Sequence, residues 1–416
     1  MIVPASNLLA RPLTLPNGTV LANRIAKSAM SEALGSWTNH VTPQLPRLYE
    51  RWARSGPGLL ITGNVMIDRR ALGEPGNVVL EDDADLPLLR QWAHAASDHG
   101  VALWMQLNHP GKQSPKGLNR DPVAPSAIPF RKDLQAFFDA PRELRVDEIH
   151  DLILRFGRAA EIAREAGFGG VQIHGAHGYL VSQFLSPHHN QRTDEWGGSA
   201  EKRRRFVLAV YAEIRRRVGA DFPVGIKLNS ADFQRGGFTE DESMDVIRAL
   251  DAAGIDLVEI SGGTYEVPVM TGTTAETRKP STIAREAYFL DFAERIRSGV
   301  KAPLMVTGGF RSFAGMNTAL ASGAFDLVGL GRLVAMDPDA PAALLRGQDS
   351  ACQVRPIKTG IGLVDRTALL EVTWYARQLK RMANGGEPHA DESAVRALLG
   401  TVWHSGWGTF RTRQRA

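Results

Sequence analysis

Along the chain, short runs of consecutive apolar residues alternate with longer stretches in which apolar positions recur every three or four residues. The short runs read as buried strands and the longer stretches as amphipathic helices. Strand runs fall at 24–30, 59–65 (LLITGNV), 101–107 (VALWMQL), 170–174 (GVQIH), 223–228 (PVGIKL), 256–260 (DLVEI), 303–307 (PLMVT) and 326–330 (DLVGL). Helical patterns lie between and after them, at 43–55, 84–99, 147–166, 199–218, 240–253, 285–298, 312–322 and 338–346. Thr239 ahead of Glu240, Asp241 and Glu242 is a helix start, and Gly100, Gly167, Gly219, Gly254 and Gly323 are helix stops. Eight strand–helix units in order predict an α/β fold, a (β/α)8 TIM barrel. A doubly wound open sheet is the runner-up, and it needs a topological switch point.

Three regions depart from the repeat. Leu15 to Val20 reads as an N-terminal hairpin around Asn17-Gly18. The proline-rich stretch 108–146, after the third strand, is too long for an ordinary connection and is expected to lid the barrel mouth. Residues after about 350 form a C-terminal helical extension, with its best helix at 367–383 and a mobile tail, RTRQRA, at 411–416. The expected division is therefore a barrel at 1–346 and an extension at 347–416 that packs on the barrel or on a neighbouring subunit.

Composition narrows the class. A hydrophobic share of 43% supplies a large core, and 23% charged residues suit a soluble globular chain. The net charge of +4 is too mild and dispersed to argue for nucleic acid. Arg203, Arg204, Arg205, Arg215, Arg216 and Arg217 interleave with Val207, Val210, Tyr211, Ile214 and Val218 at helical spacing, the pattern of a solvated helix face. With Cys352 alone, the chain has no internal disulfide and no cysteine cluster for zinc or iron–sulfur. No signal peptide is read at the N-terminus, and no segment approaches the ~18 apolar residues of a membrane span. A cytoplasmic protein without a membrane partner is expected.

In such barrels the chemistry sits at the C-terminal ends of the strands. The fourth strand runs into VQIHGAHGYLVSQFLSPHHNQRTDEWGG at 171–198, which places His174, His177 and Tyr179 close together. Two imidazoles and a phenol there could polarise a carbonyl and protonate the carbon beside it. Strand one ends at Met30-Ser31, strand two at Gly63-Asn64, strand three at Gln106 and Asn108-His109, strand five at Lys227 and Asn229, and strand six at Ser261-Gly262-Gly263. Gly308-Gly309 after strand seven and Gly331-Arg332 after strand eight occupy the usual phosphate position of these barrels. Lys227 either pairs with Glu259 or faces a ligand that becomes anionic. Gln106 suits a ligand edge carrying both a donor and an acceptor. An isoalloxazine ring with a phosphate tail meets all these needs.

LPNGTVLANRI at 15–25, QLNHPGK at 106–112, HGAHGYLVSQFLSPHHNQRTDEWGGS at 174–199, VTGGF at 306–310 and LVGLGR at 327–332 carry a resemblance to the Old Yellow Enzyme family. It runs from about residue 8 to 340. The resemblance implies a barrel holding FMN, reduced by NADH or NADPH, that passes hydride to activated C=C bonds of small molecules. Carried over, Ala29, Met30, Ser31 and Gly63 lie beside the flavin, with Ser31 near its O4. Gln106 and Lys227 bind the pyrimidine edge, and Gly308, Gly309, Gly331 and Arg332 hold the phosphate. His174 and His177 grip the substrate oxygen, His174 also touching the cofactor, and Tyr179 is the proton donor. Relatives usually have Thr or Cys where this chain has Ser31, proline at Ala29, Arg at Lys227 and Tyr at Trp196. Multidomain relatives add a cysteine cluster and a second nucleotide-binding domain; here electrons are expected directly from the nicotinamide.

Other readings stay open at this point. The histidines could be a structural pair. A metal is disfavoured even with His188 and His189 nearby, because strands one and two offer no carboxylate or histidine. Arg192 and Asp194 are expected to brace their loop, His109 to border the pocket or order the long loop, and Met30 to pack on the ring. An oxidase or demethylating dehydrogenase on the same scaffold is the alternative enzyme, and a non-redox phosphate-binding barrel the alternative of another class. The physiological substrate, the choice of nicotinamide and homo-oligomerisation are not fixed by the sequence.

Overall fold

The structure is a computed structural model, and it describes residues 7–262, 289–350, 352, 357, 368–395 and 397. Gly263, the start of the helix expected at 285–298, Thr367 and the tail at 411–416 lie outside the described residues.

Eight parallel strands close on themselves: β1 (Ile25–Lys27), β2 (Leu59–Met66), β3 (Ala102–Asn108), β4 (Gly170–Gly175), β5 (Val224–Asn229), β6 (Leu257–Ser261), β7 (Leu304–Thr307) and β8 (Leu327–Leu330). Closure is made by β8 on β1, with Val328 opposite Ile25, and by β1 on β2, with Ala26 opposite Leu59. This is a (β/α)8 barrel. Helices α1 (Gln44–Ala53), α2 (Leu86–Ser97), α3 (Val146–Glu165), α4 (Ala200–Val218), α5 (Glu240–Ala253), α6 (Leu290–Arg297), α7 (Phe313–Ala321) and α8 (Ala340–Leu345) follow the strands in turn. Their starts are chemical: Ser199 and Thr239 side chains accept from Lys202 and Glu242 N–H groups, and Glu242 returns the bond to Thr239 N.

The period-two alternation of each strand sorts its residues into two layers. Ile25, Leu60, Leu103, Val171, Ile226, Val258, Val306 and Val328 face the helices. Ala26, Leu59, Ile61, Trp104, Leu257, Met305 and Leu327 form a separate cluster inside the barrel, capped from below by Leu13, Leu15 and Leu21 of the N-terminal hairpin. Trp104 fits there because two neighbours are glycine. A Cβ at Gly170 or Gly225 would stand 2.7 or 2.8 Å from its ring. One pleat further along, the inward positions turn polar: Gln106, Gln172, Lys227, Glu259 and Thr307. The barrel therefore has an apolar plug at the bottom and a polar floor near the C-terminal strand ends.

Two expectations change. The first strand is read at 24–30 but ends at Lys27, after which Ser28 N still donates to Leu330 O at 2.9 Å and the chain leaves the barrel wall. From His109 onward none of the long stretch at 108–146, expected as a lid, lines the central cavity. Arg192, only 7% exposed, must satisfy its guanidinium, and it does so on Pro125 O at 3.0 Å and Leu144 O at 2.6 Å. That ties the stretch to the loop after β4.

Within the C-terminal extension, α9 (Ala368–Ala383) packs on α1 and on the short helix Arg332–Met336. Trp374, Leu379, Met382 and Ala383 are buried in the same apolar layer as the barrel helices.

Candidate active site

The polar floor is one connected network. Gln106 Nε2 donates to Gln172 Oε1 at 2.7 Å, and Gln172 Nε2 donates to Glu259 Oε2 at 2.8 Å. The other Glu259 oxygen meets Lys227 Nζ at 3.0 Å and accepts from Thr307 Oγ1 at 2.7 Å. The Lys227–Glu259 pair expected as one alternative is thus present, and both side chains are buried. Lys227 lines the cavity as well. These bonds fix the Gln106 amide, leaving its carbonyl oxygen and one N–H for a ligand.

His174 is set by β4 and His177 by the tight loop that follows, where His177 adopts φ +62° and Gly178 φ +78°. A non-glycine residue held in the left-handed region is uncommon and marks a constrained turn. His177 N donates to Asn229 Oδ1 at 3.1 Å, which anchors the turn to β5. His174 Nδ1 lies 2.8 Å from Asn64 Oδ1, and His177 Nε2 lies 2.8 Å from Ser261 Oγ. Between them His174 Nε2 and His177 Nδ1 are 3.1 Å apart. Burial, then the positive charge of Lys227, pushes both imidazoles well below the usual histidine range. Both are therefore neutral near pH 7. The Tyr179 ring centroid is 4.7 Å from that of His174.

The network and the histidine pair meet at one cavity of about 310 Å³, at the small end of ligand sites. Ala29, Met30, Ser31, Gln106, His174, His177, Tyr179 and Lys227 line it. At its other end lie Gly308, Gly309, Gly331 and Arg332. Gly308 and Gly309 adopt φ +117° and +99°, conformations a side chain would strain. Gly63 stands apart from the lining. Its N–H donates to Glu32 Oε1 at 2.8 Å, and Glu32 Oε2 and Met30 O fill the space a side chain would need.

Several lining residues escaped the sequence reading. Asn64 is beside a strand end and was legible as a position without a role. Glu74 comes from the loop after β2, beyond the strand-end rule. Glu371, Tyr375 and Leu379 come from α9, remote in sequence, and Glu371 Oε2 stands 3.5 Å from Arg332 Nη1. Arg192 and Asp194 pair at 2.6 Å as expected. His109 is buried and does not line the cavity, and burial lowers it to about 4. His189 Nδ1 faces Lys112 Nζ at 3.1 Å, and Trp196 packs edge-on to His150. Among the described residues no group of three or more His, Cys, Asp or Glu side chains is placed to hold a metal ion, and no helix is long and apolar enough to cross a membrane.

The donor set fits a flavin mononucleotide. Gln106 offers a donor–acceptor edge, Lys227 a cation for charge gained on reduction, and the glycine–arginine end a phosphate cradle. A parallel barrel with this donor set defines a flavin-dependent oxidoreductase. The chain belongs to the NADH:flavin oxidoreductase / NADH oxidase family, whose pattern it matches over residues 8–349. It is 38% identical over 353 residues to the NADH-dependent flavin oxidoreductase iliE of a Neonectria species (strain DH2), covering 80% of this chain but 46% of that protein. It is 35% identical over 411 residues to the NADH-dependent flavin oxidoreductase iccE of Talaromyces variabilis, covering 91% of this chain and 99% of that protein. Among solved structures, the Old Yellow Enzyme homologue from Zymomonas mobilis aligns with a TM-score of 0.69 at 25% identity, over 84% of this chain and 94% of that one.

Proposed function

We propose that this protein uses FMN and NADH or NADPH to reduce activated C=C bonds of small molecules, α,β-unsaturated carbonyl or nitro compounds. The observation that carries the reading is the grouping of Tyr179 with the neutral His174–His177 pair in the cavity that Gln106, Lys227 and the glycine–arginine end also line. FMN, when bound, would supply hydride taken from the nicotinamide.

The chain's own residues do the rest. Gln106 and Lys227 hold the ring edge, and Lys227 balances negative charge there. Gly308, Gly309, Gly331 and Arg332 hold the phosphate. His174 and His177 orient the substrate by its oxygen and stabilise charge developing on it. Tyr179 gives its phenolic proton to the carbon next to that carbonyl or nitro group. Residues 1–346 are taken as the catalytic barrel and 347–416 as an extension, whose α9 places Glu371 and Tyr375 at the cavity wall.

Anaerobic incubation of the FMN-loaded protein with NADH and a cyclic enone tests the reading. The saturated ketone is the expected product. Nicotinamide consumed only when oxygen is admitted, with the enone recovered intact, would point to the oxidase alternative.

A further inference from the structure

Ser31 and Glu74 both line the cavity, one from the segment after β1 and the other from the loop after β2. The Ser31 hydroxyl donates to Glu74 Oε1. The same oxygen accepts from Asn77 Nδ2 at 3.3 Å. The two segments are fastened together: Asn77 Oδ1 accepts from Gly73 N at 3.0 Å and Glu74 N at 2.8 Å, Asn39 Nδ2 donates to Asn77 O at 2.9 Å, and Gly35 N donates to Gly76 O at 2.7 Å. A Cβ at Gly35 would stand 2.7 Å from Gly76 O, so the backbones are in direct contact. The carboxyl is held against the hydroxyl by the fold.

A serine hydroxyl has one hydrogen. While Glu74 is ionised it can only accept, so that hydrogen is committed to it and Ser31 shows only lone pairs to the cavity. A protonated Glu74 can donate to Ser31 Oγ, and the serine hydrogen is then released toward a ligand acceptor. We propose that Glu74 is a positioning residue that decides whether Ser31 donates a hydrogen bond to the bound flavin, and so makes the flavin's reduction potential depend on pH beyond its own proton uptake. The inference rests on the FMN reading of this cavity.

The groups facing Glu74 support it. Burial acts most strongly, the Glu32 carboxylate from the segment after β1 adds to it, and the Asn77 amide opposes both, leaving Glu74 pushed up to about 7. Its two forms therefore exchange near neutrality. A hydrogen bond donated to the flavin stabilises the electron-rich reduced ring and raises its potential.

Spectroelectrochemical titration of the FMN-loaded protein decides the matter, using the natural chain, Glu74→Gln, Ser31→Ala and the double variant, between about pH 5.5 and about pH 8.5. The amide that Glu74→Gln introduces does not titrate, so the Ser31 hydrogen keeps one partner at every pH. The gap between this variant and the double variant is expected to be the same at the acid and alkaline ends, the extra pH dependence having been removed. Ser31→Ala and the double variant are expected to coincide throughout, which separates the relay from a through-space effect of the Glu74 charge. An independent reading needs no change at Glu74: the gap between the natural chain and Ser31→Ala should be wider at the acid end. Equal gaps at both ends, or a separation that survives Ser31→Ala, would overturn the relay while leaving the flavin reading intact. A protein that takes up no FMN overturns both.

Discussion

His174 Nε2 and His177 Nδ1 face each other at 3.1 Å, so only one of them can carry a hydrogen in that contact. With Asn64 Oδ1 toward His174 Nδ1, the hydrogens run one way. His174 donates to Asn64, His177 donates to His174, and Ser261 donates to His177 Nε2. An oxygen bound between the imidazoles needs a hydrogen from both. That requires Asn64 to turn its amide and donate to His174, which moves the His174 hydrogen to Nε2. In the proposed function Asn64 is accordingly the partner that sets the tautomer of the two histidines.

Asn64→Leu removes that partner. We expect enone binding to weaken by roughly 5- to 30-fold, the worth of about 1–2 kcal/mol for a lost polar partner. Flavin reduction by NADH should stay within about twofold. Pre-steady-state titration with the enone measures both; equal binding in the variant would remove Asn64 from the anchor.

Tyr179→Phe takes away the proposed acid and keeps the ring beside His174. General-acid loss is expected to slow flavin reoxidation by an enone by about 10²–10⁴-fold, with reduction by nicotinamide unchanged. Reoxidation at the natural rate would assign the proton to another group.

Lys227→Met leaves Glu259 buried without its cation. Breaking such a pair from one side costs about 3 kcal/mol or more, softened here by Gln172 and Thr307 on the same carboxylate. Urea unfolding should show the loss, and adding Glu259→Gln should restore a good part of it. A double variant no more stable than the single one would contradict the pairing.

Stability should fall on mild acidification. Burial holds His174, His177 and His189 well below the usual histidine value and His109 at about 4. The unfolded chain binds protons at these four residues below about pH 6.5 while the folded chain does not, so stability is full above that pH and is lost as pH falls through it. Glu74, raised to about 7, acts oppositely, as do the raised Asp232, Asp256 and Glu371. All four imidazoles take up protons within this window in the unfolded chain, while among the opposing carboxyls it is Glu74 whose value falls inside it, so a net loss of roughly 2–3 kcal/mol between about pH 7 and about pH 5.5 is expected from denaturant midpoints. A flat profile there would mean that the imidazoles are solvated.

The barrel was legible because each strand is a short apolar run and each helix a longer periodic one, with caps such as Thr239 and stops such as Gly254 marking the joints. The site was legible where function sits at strand ends: Gln106, His174, Lys227, Gly308 and Arg332 all reach the cavity. It was not legible where tertiary packing delivers the residue. Glu74 arrives through a loop fastened by Asn77, and Glu371 on a helix docked against α1. Neither leaves a local pattern. The place of the stretch after β3 was not legible for a related reason: it depends on the buried donors of Arg192, far along the chain.

Flavin colour followed through both half-reactions under anaerobic conditions shows whether one site serves nicotinamide and enone in turn. The protein is predicted to be yellow with FMN, to bleach on mixing with NADH or NADPH, and to regain its colour when an enone is added, with the saturated ketone formed in step. A colourless protein, or a bleached one whose colour the enone does not restore, would overturn the proposed function.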